Sequence, residues 1–258
     1  MNKDALLEIF NKEQRIGIHY PGAKREVVGH IVRQVIDTTT GSYITYSNLS
    51  EDNADDIIEE QMAYFKAHGQ QFEWKLYDYD QPANLRDRLQ AKGFEIGEAE
   101  ALMILEVGAE HPLLALEIPD YIRPITDDAG IDLVMKLEET IWNEPHAELG
   151  TQLKQDIKND PDSMKIYAAY DDNGQVVSAA WMHLQEGTSF GSLWGGSTLP
   201  EYRGKGIYQA LIAVRAQEAW KRGFTLLTVD ASPMSRPILE RRGFLCLAMT
   251  YPCVSPSE

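Results

Sequence analysis

Hydrophobic and polar positions are most regular in the second half of the chain. Tyr121-Ile122-Arg123-Pro124-Ile125 predicts a short strand, and Thr126 or Asp127 can cap a helix that follows. Ile131, Val134, Met135, Leu137 and Ile141 form the apolar stripe of that helix to about Trp142, where Asn143-Glu144-Pro145 breaks it. A second helix spans about Leu149 to Ile157. The period then shifts to two. Lys165–Tyr170, Gln175–Leu184 and Thr188–Ser197 predict strands, separated by Asp171-Asp172-Asn173-Gly174 and Glu186-Gly187. Asn-Gly tolerates the positive φ of a tight hairpin turn. A helix from about Gly206 to Arg222, with Ile207, Leu211 and Val214 inward, ends at Gly223. Strand Phe224–Val229, helix Pro237–Arg242 and strand Phe244–Tyr251 complete the order β-α-α-β-β-β-α-β-α-β. Its natural layering is a central mixed sheet with helices on both faces, an α/β architecture.

The first half partly echoes this pattern. Asp52–His68 is helical with Gly69 as its cap, Gln71–Tyr77 resembles a strand, Asn84–Lys92 a helix and Glu100–Val107 a strand. Leu85-Arg86-Asp87-Arg88-Leu89-Gln90-Ala91-Lys92-Gly93-Phe94 parallels Ile238-Leu239-Glu240-Arg241-Arg242-Gly243-Phe244. The repetition operates at domain scale. With His111–Pro119 as connector, the expected lobes are residues 1–118 and 119–258.

At Pro200-Glu201-Tyr202-Arg203-Gly204-Lys205-Gly206-Ile207-Tyr208 a strand ends, a glycine-rich turn follows and a helix begins. The amides of a helix start carry partial positive charge, and glycines let a ligand approach the backbone. Such a place suits a phosphate or diphosphate; as a bare motif it also fits a turn that merely starts a helix. Neither a Walker A loop nor a dinucleotide fingerprint is present. The segment resembles the coenzyme-A diphosphate loop of the GNAT superfamily, whose pattern is Arg/Gln-x-x-Gly-x-Gly/Ala. Arg203, Gly206 and Tyr208 occupy the pattern positions, Tyr208 standing where Gly or Ala is usual. The resemblance extends from about Tyr121 to Tyr251 and includes Ser235-Arg236-Pro237-Ile238-Leu239-Glu240-Arg241-Arg242-Gly243-Phe244.

The resemblance implies a GNAT-like fold, with the first lobe a degenerate relative that has no coenzyme loop. No comparable loop exists in residues 1–120, where Thr39-Thr40-Gly41-Ser42-Tyr43 offers one glycine and no basic partner. It also implies direct acetyl transfer from acetyl-CoA to a primary amine of a small molecule or peptide. Thr198, Arg203, Gly204, Lys205, Gly206, Ile207 and Tyr208 are the implied coenzyme contacts, and Gly195-Gly196 a bulge that comes close to the thioester. Candidates for the proton transfers are Glu138, Glu139, Glu144, His146 and Ser235. The family's usual late-helix tyrosine is replaced by Leu239, so the thiolate leaves unaided or is helped by Tyr208, Ser232 or Ser235. A non-catalytic acyl-CoA sensor or interaction module is the alternative. Trp142 and Trp194 suit either an acceptor pocket or the core.

Charge and composition narrow the partners. Residues 1–120 carry 11 basic and 22 acidic side chains and hence −11 of the total −16. This field disfavours nucleic acid and acidic membranes; it favours cationic acceptors, or serves solubility alone. Two cysteines and scattered histidines predict no disulfide framework and no metal site. The Met1-Asn2-Lys3-Asp4-Ala5 start lacks signal-peptide order and no apolar run reaches membrane length, so a cytoplasmic protein is expected. Oligomeric state is open, a homodimer included.

Overall fold

A computed structural model of the chain describes residues 1–37 and 41–257. Thr39 and Thr40 of the single-glycine turn lie outside the described residues. In chain order, helix α1 (Lys3–Phe10) runs into a π-helical turn at Asn11–Ile16. Strands β1 (Ala23–Val28), β2 (Ile31–Ile36) and β3 (Ser42–Ser47) follow, then α2 (Ala54–Ala67), β4 (Phe72–Tyr77), α3 (Leu85–Ala91), β5 (Glu95–Ile96) and β6 (Glu100–Glu106). After a 3-10 turn at Pro112–Ala115 come β7 (Ile122–Ile125), α4 (Asp128–Trp142), α5 (Ala147–Asn159), β8 (Met164–Tyr170), β9 (Val176–Leu184) and β10 (Phe190–Thr198). A 3-10 turn at Pro200–Tyr202, α6 (Ile207–Lys221), β11 (Leu226–Ala231), α7 (Arg236–Glu240) and β12 (Leu245–Val254) end the chain.

Two compact units result. One comprises Met1–Ile104 with Asp230–Glu258; the other is Leu105–Val229. Residues 230–258, which the sequence places with the second lobe, therefore pack with the first 104. The reason is β12. It lies antiparallel between β4, pairing Cys253 with Trp74, and β6, pairing Leu245 with Ile104. Strand order in this unit is β1-β2-β3-β4-β12-β6, with β3 and β4 parallel. Ile44, Ile58, Phe65, Trp74, Leu85, Leu89 and Cys253 form its core, and burial pushes the Cys253 thiol up to about 12. Beside it, Arg15 forms a buried bidentate pair with Asp80 at 2.8 Å and stacks 4.2 Å from the Tyr77 ring.

In the second unit the order is β11-β10-β9-β8-β7. The β8–β9 hairpin turns as the sequence predicts. Asp171 Oδ1 accepts from the amides of Asn173 and Gln175, and Gly174 has φ 78°. Ile131, Val134, Met135 and Leu137 of α4 pack with Ile166, Ala168, Val177 and Ala179 of the sheet. The predicted connector is ordered against α6, where Gln217 Nε2 donates to the carbonyls of Leu113 and Leu116.

The internal echo has a hydrogen-bond counterpart. Phe94 N donates to Leu89 O and Gly93 N to Gln90 O; Phe244 N donates to Leu239 O and Gly243 N to Glu240 O. Both glycines are left-handed, φ 90° and 92°, and both leucines are fully buried. The two helices share one glycine-terminated cap with a hydrophobic residue after it.

Candidate functional site

Strand β10 has a parallel partner over only part of its length. Phe190, Gly191 and Ser192 pair with Leu226, Leu227 and Thr228 of β11, and β10 then runs on to Thr198. On its other side it pairs with β9 until Gly195↔Ala180, and the register shifts so that Ser197 opposes Ala179. Gly196 is the extra residue, left out of the ladder. The bulge requires glycine twice. Gly195 and Gly196 have φ 66° and 98°. A Cβ on Gly195 would lie 2.4 Å from the Trp181 ring, and one on Gly196 would lie 2.8 Å from the Tyr208 ring.

Beyond Thr198 the Pro200–Tyr202 turn leads through extended Arg203 into Gly204 and Gly206, with φ 73° and 82°. Helix α6 starts at Ile207 with no side chain capping it, and the first bond to the Gly206 carbonyl comes from Ala210 N. Residues 203–206 are exposed, and a Cβ on Gly204 or Gly206 would meet only open space. Arg203 Nε donates back to Thr198 O at 3.0 Å, closing the loop, and Lys205 Nζ sits 4.6 Å from the Tyr202 ring. Thr198 Oγ1 shares a 2.8 Å hydrogen bond with Ser178 Oγ. The result is an exposed, unplugged turn of amides with two cations beside it. Its geometry fits a diphosphate.

The proton-transfer candidates separate. Glu138 of α4 is 3% exposed. Its Oε2 accepts from Ser197 Oγ at 2.7 Å and from Trp142 Nε1 at 2.9 Å, while its Oε1 is buried without a hydrogen-bond partner. Burial raises the Glu138 pKa, with the donors Ser197 and Trp142 and the nearby His146 opposing it. Ser197 is the residue that closes the bulge, so the carboxyl is tied to β10 at the place where its backbone leaves the ladder. Trp142 is 60% exposed. Glu139 is exposed and accepts from His146 N. His146 precedes α5, its Nδ1 2.9 Å from Glu144 O, and Glu144 is exposed. Ser235 belongs to the other compact unit, where it precedes α7 and bonds Ser232. Leu239 is fully buried. Trp194 is 46% exposed, donates to Ser192 Oγ and meets His183 edge-on, and burial lowers the His183 pKa to about 4.

Two residues in this neighbourhood escape sequence reasoning. Ser197 is one of many serines and is distant in sequence from Glu138. Arg215 is a charged residue one turn after the inward Leu211 and is 2% exposed under β10. Among the described residues no group of His, Cys, Asp and Glu is placed to hold a metal ion, and no helix is long and apolar enough to cross a membrane.

Comparison with known proteins agrees with this geometry. Residues 131–244 match the model of the Acetyltransferase (GNAT) family. A solved GCN5-related N-acetyltransferase from Kribbella flavida is similar over 99% of this chain and 95% of its own, at TM-score 0.67 and 17% identity. One from Sphaerobacter thermophilus is similar over 89% and 78%, at 0.61 and 15%. A tandem GNAT protein from the clavulanic acid biosynthesis pathway is similar over 93% and 85%, at 0.62 and 13%. The fold is thus the GNAT fold in its two-lobed arrangement. Among curated proteins, none matches the chain in sequence.

Proposed function

We propose, from the premise that residues 131–244 form a GNAT-family acetyltransferase domain, that the protein is an acetyl-CoA-dependent N-acetyltransferase acting on a primary amine of a small molecule or peptide. The observation that carries this reading is the open turn of Gly204 and Gly206 at the uncapped start of α6, directly after the bulged end of β10. The amides of Ile207 and Tyr208, with the charges of Arg203 and Lys205, hold the diphosphate. Gly196, outside the ladder, offers its amide to the thioester carbonyl, where negative charge develops as the amine attacks.

In this reading the amine nitrogen forms a bond to the acyl carbon, the carbon–sulfur bond breaks, and the electron pair leaves on sulfur. The amine proton passes to the Glu138 carboxyl, whose Oε1 has no hydrogen-bond partner among the described residues. Ser197 and Trp142 hold the opposite oxygen, fixing the carboxyl plane. Trp142, exposed beside this carboxyl, offers a flat wall to the acceptor. Buried Leu239 supplies no acid, so the thiolate departs unaided or takes its proton from Tyr208.

A second reading, a non-catalytic acyl-CoA binder, has the Leu239 position in its favour. A transfer assay over a panel of aliphatic, aromatic and peptide amines separates the two. Release of free thiol with at least one amine, reduced about 10²- to 10⁴-fold in Glu138→Gln, supports the enzyme. Coenzyme binding with no turnover on any amine supports the binder.

A further inference from the structure

Arg215 is an anomaly of composition and placement. It sits in the middle of α6, 2% exposed, and among the described residues no carboxylate pairs with it. A guanidinium in such a place is costly unless hydrogen-bonded, and one without a counter-charge is rare in a core. Its Nε and Nη1 donate to main-chain carbonyls. Nε donates to Leu211 O at 2.9 Å on its own helix. Nη1 donates to Trp181 O at 3.0 Å and to Trp194 O at 3.2 Å. Trp181 and Trp194 face each other across β9 and β10, one residue before the bulge. The same nitrogen therefore bridges two strands immediately before Gly195 and Gly196. Burial lowers the Arg215 pKa to about 10, so the group remains charged at neutral pH. Tyr208, whose ring packs on Gly196, lies within electrostatic reach of it.

The bulge is thus held from three sides: the Trp181 ring against Gly195, the Tyr208 ring against Gly196, and Arg215 Nη1 on the carbonyls before them. A bulge held this firmly keeps one backbone conformation, which two flexible glycines do not adopt unaided. We infer that Arg215 is a positioning residue for acyl transfer, clamping the Trp181 and Trp194 carbonyls so that the Gly196 amide stays turned out of the ladder. Its charge, compensated by no carboxylate among the described residues, also lies beneath the segment on which the oxyanion forms, in a site where little water screens it. This role rests on the acetyltransferase reading; the clamp itself is a statement about the free protein.

Arg215→Met and Arg215→Lys test it. Methionine keeps the bulk of the stem and removes every donor; lysine keeps the charge but lacks the planar guanidinium that holds Leu211 O through Nε while Nη1 reaches the Trp181 and Trp194 carbonyls. Amide hydrogen exchange of the ligand-free protein should quicken at least about tenfold in residues 194–198 in both variants. In β8 it should change little. For the methionine variant kcat should fall about ten- to a hundredfold while the acetyl-CoA Kd stays within about threefold. Lysine should restore part of kcat without restoring exchange protection. Unchanged exchange in the segment overturns the proposal, and so does quickened exchange with wild-type kcat or an equal loss of affinity and turnover. If the methionine variant does not fold, the lysine variant carries both readouts. If the wild-type protein neither binds acetyl-CoA nor transfers acetyl, the acetyltransferase reading fails and the catalytic role with it, and exchange then decides the clamp alone.

Discussion

Glu138 has two hydrogen-bond donors on one oxygen and none on the other. Both donors favour the ionised carboxylate, but burial outweighs them and its pKa is raised. As a base it works only when ionised, so kcat should rise with pH through an inflection above the ordinary glutamate value. Linkage sets the sign for stability. A raised folded-state pKa gives stability that is fully present below the unfolded value and lost as pH rises through the folded one. Glutamine does not titrate, so the stability of Glu138→Gln relative to wild type should grow as pH rises from the ordinary glutamate value through the raised one. Thermal melts across that range check it; a constant difference contradicts the raised pKa. Leu239 illustrates the opposite case. Its position repeats that of Leu89, a buried leucine whose carbonyl accepts the cap bond from the following Phe. It reads as core because the helix end needs an apolar anchor there. Glu138 itself was legible as one of several acids near α4. Its selection was not, because Ser197 and Trp142 reach it only through the fold.

Elements with local punctuation were legible. Asp171–Gly174, Gly223 and Gly243 mark their turns and caps in sequence, and β7 to β12 follow the expected order. The β1–β3 region was not, and its residues show why. Arg33 and Gln34 of β2 are buried, which erases the alternation of apolar and polar positions. Arg33 is satisfied by Glu26 and Gln61 and lies 3.3 Å over the Tyr64 ring; Gln34 donates to Ile18 O. Tertiary partners absorb charges that a pattern reading assigns to solvent. The Gly195-Gly196 bulge was readable as glycines but not as a packed feature. Gly196→Ala should cost roughly 1–3 kcal/mol, since its Cβ would press on Tyr208 and its φ of 98° disfavours alanine. Turnover should fall with it. Denaturant unfolding and kinetics measure both, and a neutral variant would show the bulge to be soft.

At the scale of the whole molecule, the split after residue 118 follows composition, while packing follows β12. The final strand pairs with β4 and β6, both drawn from the first 106 residues, so residues 119–258 alone would leave it without either neighbour. That fragment should fail to unfold cooperatively, whereas the full chain should. A cooperative melt of the isolated fragment would restore the simpler boundary. The net charge of −16 surrounds a local pair of cations, Arg203 and Lys205, at the start of α6, which is where an anionic carrier is expected to dock. Calorimetric titration of the full chain with acetyl-CoA, beside Gly206→Glu, addresses this most directly. The variant's Cβ meets open space, a φ of 82° costs it roughly 1–3 kcal/mol of stability, and its carboxylate lies at the helix start, so a variant confirmed folded by its melt should bind at least about tenfold more weakly than wild type. Saturable heat from the wild type with that loss is the predicted result; no heat from the wild type at millimolar coenzyme, or equal affinity in both proteins, would contradict it.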